Sequence, residues 1–341
     1  MLTDHERHEQ LEPVRRWLAV AVAALLLAGC FSLGLIVGRM PPFSSWVTDP
    51  GFFRRVLVVH VDLALIVWFY AFVVGLIHLL GTSARVRRIT NALAVVAGAG
   101  VAMMVAAAGV EKAAPIMSNY VPVIDHPVFL MGLVVFGVST VAAVVVSAPW
   151  RGESREPLIE LPDAVVPGLR ASSAAVVAAA ATFFCAWAAT PTHLEAGAYY
   201  ELVFWGGGHV LQVACVAAMV ALWIYFATSV LGRAPITKRV ATILFAGLVA
   251  PHLFAPLLTI EGTQTALYHA GSTRLMQFGI FPVVLVFAGI IAWRFWRAWR
   301  AGELELGDLA DIRFVGLSAS ISLTLVGFVL GAMIRGSNTM I

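Results

Sequence analysis

Nine apolar runs separated by short polar stretches divide the chain almost from end to end. They fall at Trp17 to Val37, Val56 to Leu80, Ile89 to Val110, Val128 to Ala148, Ala171 to Thr190, Tyr200 to Val230, Arg239 to Ile260, Leu275 to Trp296 and Ile312 to Ile334. A hydrocarbon layer about 30 Å thick needs around 20 apolar residues in a helix, because each spanning segment must satisfy its own backbone polar groups. The pattern predicts an all-α, polytopic transmembrane helix bundle of nine spans. Arg15 and Arg16 precede the first run as they would in a secretion signal. Its length, and the Arg39 and two prolines that follow, fit a retained span better.

Composition agrees: the 341 residues are 60% hydrophobic and 12% charged, with mean hydropathy +0.90. A soluble domain carries about a quarter charged residues, so a large water-facing domain is excluded. The net charge of +3 implies no nucleic-acid partner, since the basic residues sit where they set membrane topology. Fifteen lie in the tail and loops on the N-terminal side: Arg7, Arg15, Arg16, Arg85, Arg87, Arg88, Arg151, Arg155, Arg170, Arg233, Lys238, Arg239, Arg297, Arg300 and Arg313. Six lie opposite: Arg39, Arg54, Arg55, Lys112, Arg274 and Arg335; Arg294 falls inside a span. This asymmetry predicts a cytoplasmic N-terminus. No fixed-period repeat or linker appears, so residues 1–16 read as a cytoplasmic tail and 17–341 as one transmembrane domain. The prolines of the 149–170 segment mark the longest loop, an inner connector.

Cys30, Cys185 and Cys215 stand singly in apolar runs, with no thiolate metal motif and no covalent haem motif. Any metal or haem must therefore be held by histidine. Of the nine, His5 and His8 lie in the tail and His78 at the inner end of its span. The other six map to the outer half. His60, His209 and His252 are intramembrane and share a narrow range of depth, while His126, His193 and His269 lie in outer loops or at helix starts. Ionisable groups inside a membrane are costly unless partnered, and neutral imidazole is an axial haem ligand and a copper ligand. Before His209 runs Trp205-Gly206-Gly207-Gly208; three glycines in a helix suit close approach by a neighbouring helix or a flat macrocycle. Pro251, which removes a helical hydrogen bond, predicts a kink beside His252.

With these residues in place, the chain resembles subunit I of the haem-copper oxidases, the superfamily of cytochrome c oxidase and the nitric oxide reductases, along nearly all its length. RVLVVHVDLALIVWF (55–69) resembles the second helix, whose histidine is an axial ligand of the low-spin haem, a role carried to His60. FWGGGHVLQ (204–212) resembles the sixth helix, whose histidine binds copper, a role carried to His209. APHLFAPL (250–257) resembles the seventh, which has two adjacent copper histidines; here Pro251 holds one position, leaving His252. LVGFVLGAMIRGSNTMI (325–341) resembles the ninth. The family's tenth helix supplies two further haem ligands, so the resemblance covers nine of twelve helices and implies a domain incomplete at its C-terminus. The tyrosine or glutamate that family members place near copper has no counterpart at Val213 or Phe245, and Tyr268 falls in the next loop.

The resemblance implies a respiratory oxidoreductase of a bacterial or archaeal cytoplasmic membrane, passing electrons through a low-spin haem to a haem/copper site that reduces oxygen. The alternatives are nitric oxide as substrate, or a haem-binding electron-relay protein with a degenerate copper site. Expected cofactors are haem, b-type or related, with a second high-spin haem, and copper. Expected partners are membrane lipid, other respiratory subunits and a donor such as cytochrome c or quinol. Arg274 and His269 are candidate haem-propionate contacts, in an outer loop with Glu261. Asp62, two residues beyond His60, is a candidate support for that ligand or, with Glu261, part of a proton route; its i+2 position points away from His60, so it needs a partner on another helix.

Overall fold

The structure, a computed structural model, describes residues 4–147 and 158–336. Arg151 and Arg155 of the long loop, and residues 337–341 of the last motif, lie outside them. Among the described residues nine helices are long and apolar enough to cross a bilayer, matching the nine runs. The protein is an all-α polytopic helix bundle and an integral membrane protein.

Helix α1 (Asp4–Val37) runs straight out of the charged tail, where Arg16 pairs with Glu12 one turn back at 2.6 Å. The second span is α2 (Phe52–Asp62), a π-helical turn (Leu63–Val67) and α3 (Trp68–His78). Then come α4 (Ala84–Ala107), a two-stranded antiparallel hairpin of β1 (Ala114–Ile116) and β2 (Val123–Asp125), α5 (Pro127–Ser147) and α6 (Val166–Ala189). The sixth span is α7 (Ala196–Leu231), and the seventh is α8 (Lys238–Val249) continued by a 3-10 helix (Ala250–Thr259). α9 (Ala266–Arg300), the short α10 (Leu306–Leu309) and α11 (Ile312–Gly336) complete it.

Side-chain hydrogen bonds cross between spans where an apolar contact alone would leave a polar group unpaired. Trp17 Nε1 donates to the Thr90 carbonyl at 3.2 Å, Tyr70 to the Leu211 carbonyl at 2.9 Å and Ser172 to the Ala214 carbonyl at 2.8 Å. α11 packs mainly on α7, where Trp223 Nε1 donates to Ser320 at 2.8 Å.

Two spans leave α-geometry beside their histidines. The π-helical turn begins just after Asp62, two residues past His60. The ten-residue 3-10 stretch begins just before Pro251 and His252, so Pro251 changes the helix type for the rest of the span and does more than kink it. Runs of 3-10 helix beyond three or four residues are uncommon, and π turns concentrate at functional sites.

Candidate functional site

His209 lies on α7, buried, with Nδ1 2.7 Å from the carbonyl oxygen of Trp205. A carbonyl only accepts, so Nδ1 carries the ring proton and Nε2 offers its lone pair. The partner at Nε2 is the hydroxyl of Tyr120, which donates at 2.9 Å. Tyr120 stands at the tip of the β1–β2 hairpin, with φ of +68°. A side chain other than glycine held there costs roughly 1–2 kcal/mol, offset by surrounding contacts. The neighbouring Asn119 donates from its backbone N–H and from Nδ2 to the Glu201 carboxylate, both at 2.7 Å. Tyr200 ties the other strand by donating to Asp125 at 2.8 Å. Burial and the nearby Glu201 charge push the Tyr120 phenol above its ordinary range, so it stays a proton donor at neutral pH.

The triple glycine seats aromatic side chains. A Cβ on Gly208 would lie 2.3 Å from Tyr120 Cγ, one on Gly207 2.2 Å from Phe183 Cδ1 and one on Gly206 2.8 Å from Tyr268 Cε2. Tyr268 donates to the Leu202 carbonyl at 2.7 Å and accepts from the Gly206 N–H at 2.9 Å, bridging a donor and acceptor one helical turn apart. The expected close approach is made by rings from two neighbouring helices, Phe183 of α6 and Tyr268 of α9, and by Tyr120 of the hairpin.

His252, fully buried on the 3-10 stretch, ties Nδ1 to the Leu248 carbonyl at 2.8 Å, and among the described residues Nε2 makes no hydrogen bond. Its ring presses on α9 at Gly279, where a Cβ would lie 2.4 Å from Cε1. On the same helix the buried Ser272 hydroxyl is also without a hydrogen bond among the described residues. His209 and His269 both meet the Trp205 ring, at 4.9 and 5.4 Å between centroids, so the structure brings one intramembrane histidine together with one from the outer end.

His60 is elsewhere. It is half-buried and turned toward α1, where Nδ1 is bonded to the Ala28 carbonyl at 2.8 Å; among the described residues nothing pairs with Nε2. Asp62 points away from it, as the i+2 spacing requires, and is fully buried with both carboxylate oxygens unpaired. The partner expected on another helix is not found among the described residues.

The outer loop needs correcting. His269 and Arg274 lie on the first turns of α9, because Thr265 caps that helix by accepting from Tyr268 N–H at 3.3 Å. Five positions apart, they face different sides: His269 meets the Trp205 ring at 5.4 Å between centroids, while Arg274 is exposed. Glu261 is exposed in the turn before the helix. His126 accepts from Val128 N–H at 3.3 Å at the start of α5, and His78 bonds to the Val74 carbonyl and Ser147. His78 thus has both ring nitrogens engaged.

The residues that the sequence did not single out are Tyr120, Glu201 and Ser272. The one available signal was the Asn-Tyr pair between two short alternating stretches, API and VID, which form the hairpin.

The fit to the implied cofactors divides. Nδ1 tied to a main-chain carbonyl, with Nε2 left to coordinate, is how a ligating histidine is oriented, and His60 has this form, which fits an axial haem ligand. The donors do not fit a three-ligand copper centre: Tyr120 occupies Nε2 of His209, and among the described residues no three His, Cys, Asp or Glu side chains gather to hold a metal.

No family model matches the chain, and no solved structure matches it. Among curated proteins it is 26% identical over 208 residues to an uncharacterized protein of Aquifex aeolicus (strain VF5), covering 61% of this chain and 52% of that one. It is 23% identical over 248 residues to uncharacterized protein RP382 of Rickettsia prowazekii (strain Madrid E), covering 61% of this chain and 45% of that one. The chain thus spans about half the length of these relatives.

Proposed function

We propose that this chain is a haem-binding, electron-transferring membrane protein, a respiratory component like subunit I of the haem-copper oxidases, in a bacterial or archaeal cytoplasmic membrane. One observation carries the reading. His60, His209 and His252 all tie Nδ1 to a backbone carbonyl, at 2.8, 2.7 and 2.8 Å, and so direct the coordinating nitrogen away from their own backbone. Haem iron bound at His60 would supply one-electron transfer. The protein's part is to fix that imidazole in one tautomer and orientation through Ala28, on the neighbouring helix. A cytochrome c or quinol donor and further respiratory subunits belong to the same proposal.

A second reading, a terminal reductase of oxygen or nitric oxide, is favoured by the phenol set against His209, the kind of donor that could steady a reduced ligand. The donor set at His209 and His252 does not extend to a copper triad, so the electron-relay reading is preferred and no copper chemistry is assigned.

The test is a reduced-minus-oxidised spectrum of the full-length chain and of His60→Ala. Loss of the low-spin haem bands in His60→Ala, with retention in His126→Ala, is expected. An unchanged spectrum in His60→Ala would overturn the assignment.

A further inference from the structure

The one group that meets His209 from outside the helices is the tip of the hairpin, and its attachment has a particular form. Tyr120 does not belong to a span. It enters the bundle from the predicted outer loop, sets the base of its side chain against Gly208 and puts its hydroxyl on the lone pair of Nε2. The polar hold on the tip is at the surface, where the exposed Asn119 gives both donors to Glu201, beside the buried Ser118 and Val121. The backbone between latch and phenol is in the left-handed region at Tyr120 itself, with a further positive φ at Lys112, before β1. The buried end of the tip is therefore bonded to the functional nitrogen, and the outer end is fastened by a water-accessible contact.

We propose that the hairpin is an access latch over His209: Tyr120 caps Nε2, Asn119 and Glu201 hold the cap shut, and lifting the tip opens that nitrogen to the outer side. What enters must be an electron-pair acceptor, because the position it takes is that of the phenol proton. The latch regulates the histidine site of the proposed function and rests on that reading for its purpose, although its geometry stands without haem. The strands pair with each other, and the polar ties to α7 run from the Asn119 backbone and side chain to Glu201 and from Tyr200 to Asp125, while Val123 and Ile124 of β2 are fully buried, so opening is a movement of the tip and not of the strands.

Diethyl pyrocarbonate, which acylates unprotonated imidazole nitrogen, is a direct probe when its products are mapped by peptide mass spectrometry on the full-length protein in detergent. The exposed His193 serves as an internal reference and the buried His252 as a check on packing. In the wild type His209 should react at least tenfold more slowly than His193 (~1.4 kcal/mol of protection). Glu201→Ala, which frees the tip without touching the bundle interior, should raise the His209 rate by tenfold or more and leave His252 unreactive; Tyr120→Phe should do the same. Equal His209 rates in all three proteins, or acceleration shared by His252, would overturn the latch. The assay needs no haem. A haem-free chain with a working latch would refute the functional reading alone, and a haem-bearing chain with equal rates would refute the latch alone.

Discussion

Tyr120 donates its hydroxyl to Nε2 of His209 at 2.9 Å, from 89 positions away in the sequence. The bond forms because Gly208, one residue before His209, has no side chain where the Tyr120 ring lies. The two residues and the glycine between them work as one unit, and each can be tested separately.

Gly208→Ala sets two effects against each other. Alanine raises helix propensity by about 1 kcal/mol, whereas its Cβ would stand 2.3 Å from Cγ of Tyr120 and 2.4 Å from its Cβ. Those atoms are the base of the side chain and cannot swing aside, so overpacking of about 1–3 kcal/mol should win. A lower melting temperature and loss of His209 protection are expected. A melting temperature above wild type would show that the tyrosine does not sit there.

Tyr268→Phe removes the hydroxyl that links the Leu202 carbonyl to the Gly206 N–H. Those two backbone groups stand in the i, i+4 relation and can bond directly, so the loss should be modest, about 0.5–1.5 kcal/mol. Thermal unfolding in detergent reads it. A loss as large as a buried unpaired charge would mean that the hydroxyl satisfies a further group.

The helices were legible in the sequence because hydrocarbon admits little else, and all nine runs became spans. The start of α9 was not. Tyr268, His269, Ser272, Thr273 and Arg274 read as a polar loop, yet Thr265 caps a helix there and α7 buries Tyr268. Burial between helices, which a hydropathy run cannot register, overrode the polarity. His209 and His252 were legible as candidates, since imidazoles inside apolar runs stand out. Their shared Nδ1 anchoring was latent in helical spacing, because Trp205 and Leu248 each precede their histidine by four residues. Tyr120 was legible at most as part of a turn between two short alternating stretches; its contact with His209 depends on a glycine seat 88 positions away that no local pattern encodes.

Arg55 is almost wholly buried at the predicted outer end of α2, with Nε donating to the Ala108 carbonyl at 3.0 Å and its other arm paired with Asp49. That guanidinium, followed by the Gly51 N–H, holds the Asp49 carboxyl below its ordinary value of 3.8. A depressed carboxylate contributes stability that is complete above its unfolded value and is lost as pH falls through the folded one. Acidification below about pH 4 should therefore loosen the loop before α2, as read by hydrogen exchange at Gly51 and Phe52. Asp49→Asn should remove this pH dependence. An unchanged acid response in that variant would place the sensitive group elsewhere.

The proposed haem ligand of this bundle is His60. The most direct measurement is haem content, together with the redox difference spectrum, of the full-length chain purified folded from a haem-replete host. Stoichiometric haem is expected, with low-spin bands that disappear in His60→Ala. A folded, colourless protein without haem would contradict the assignment.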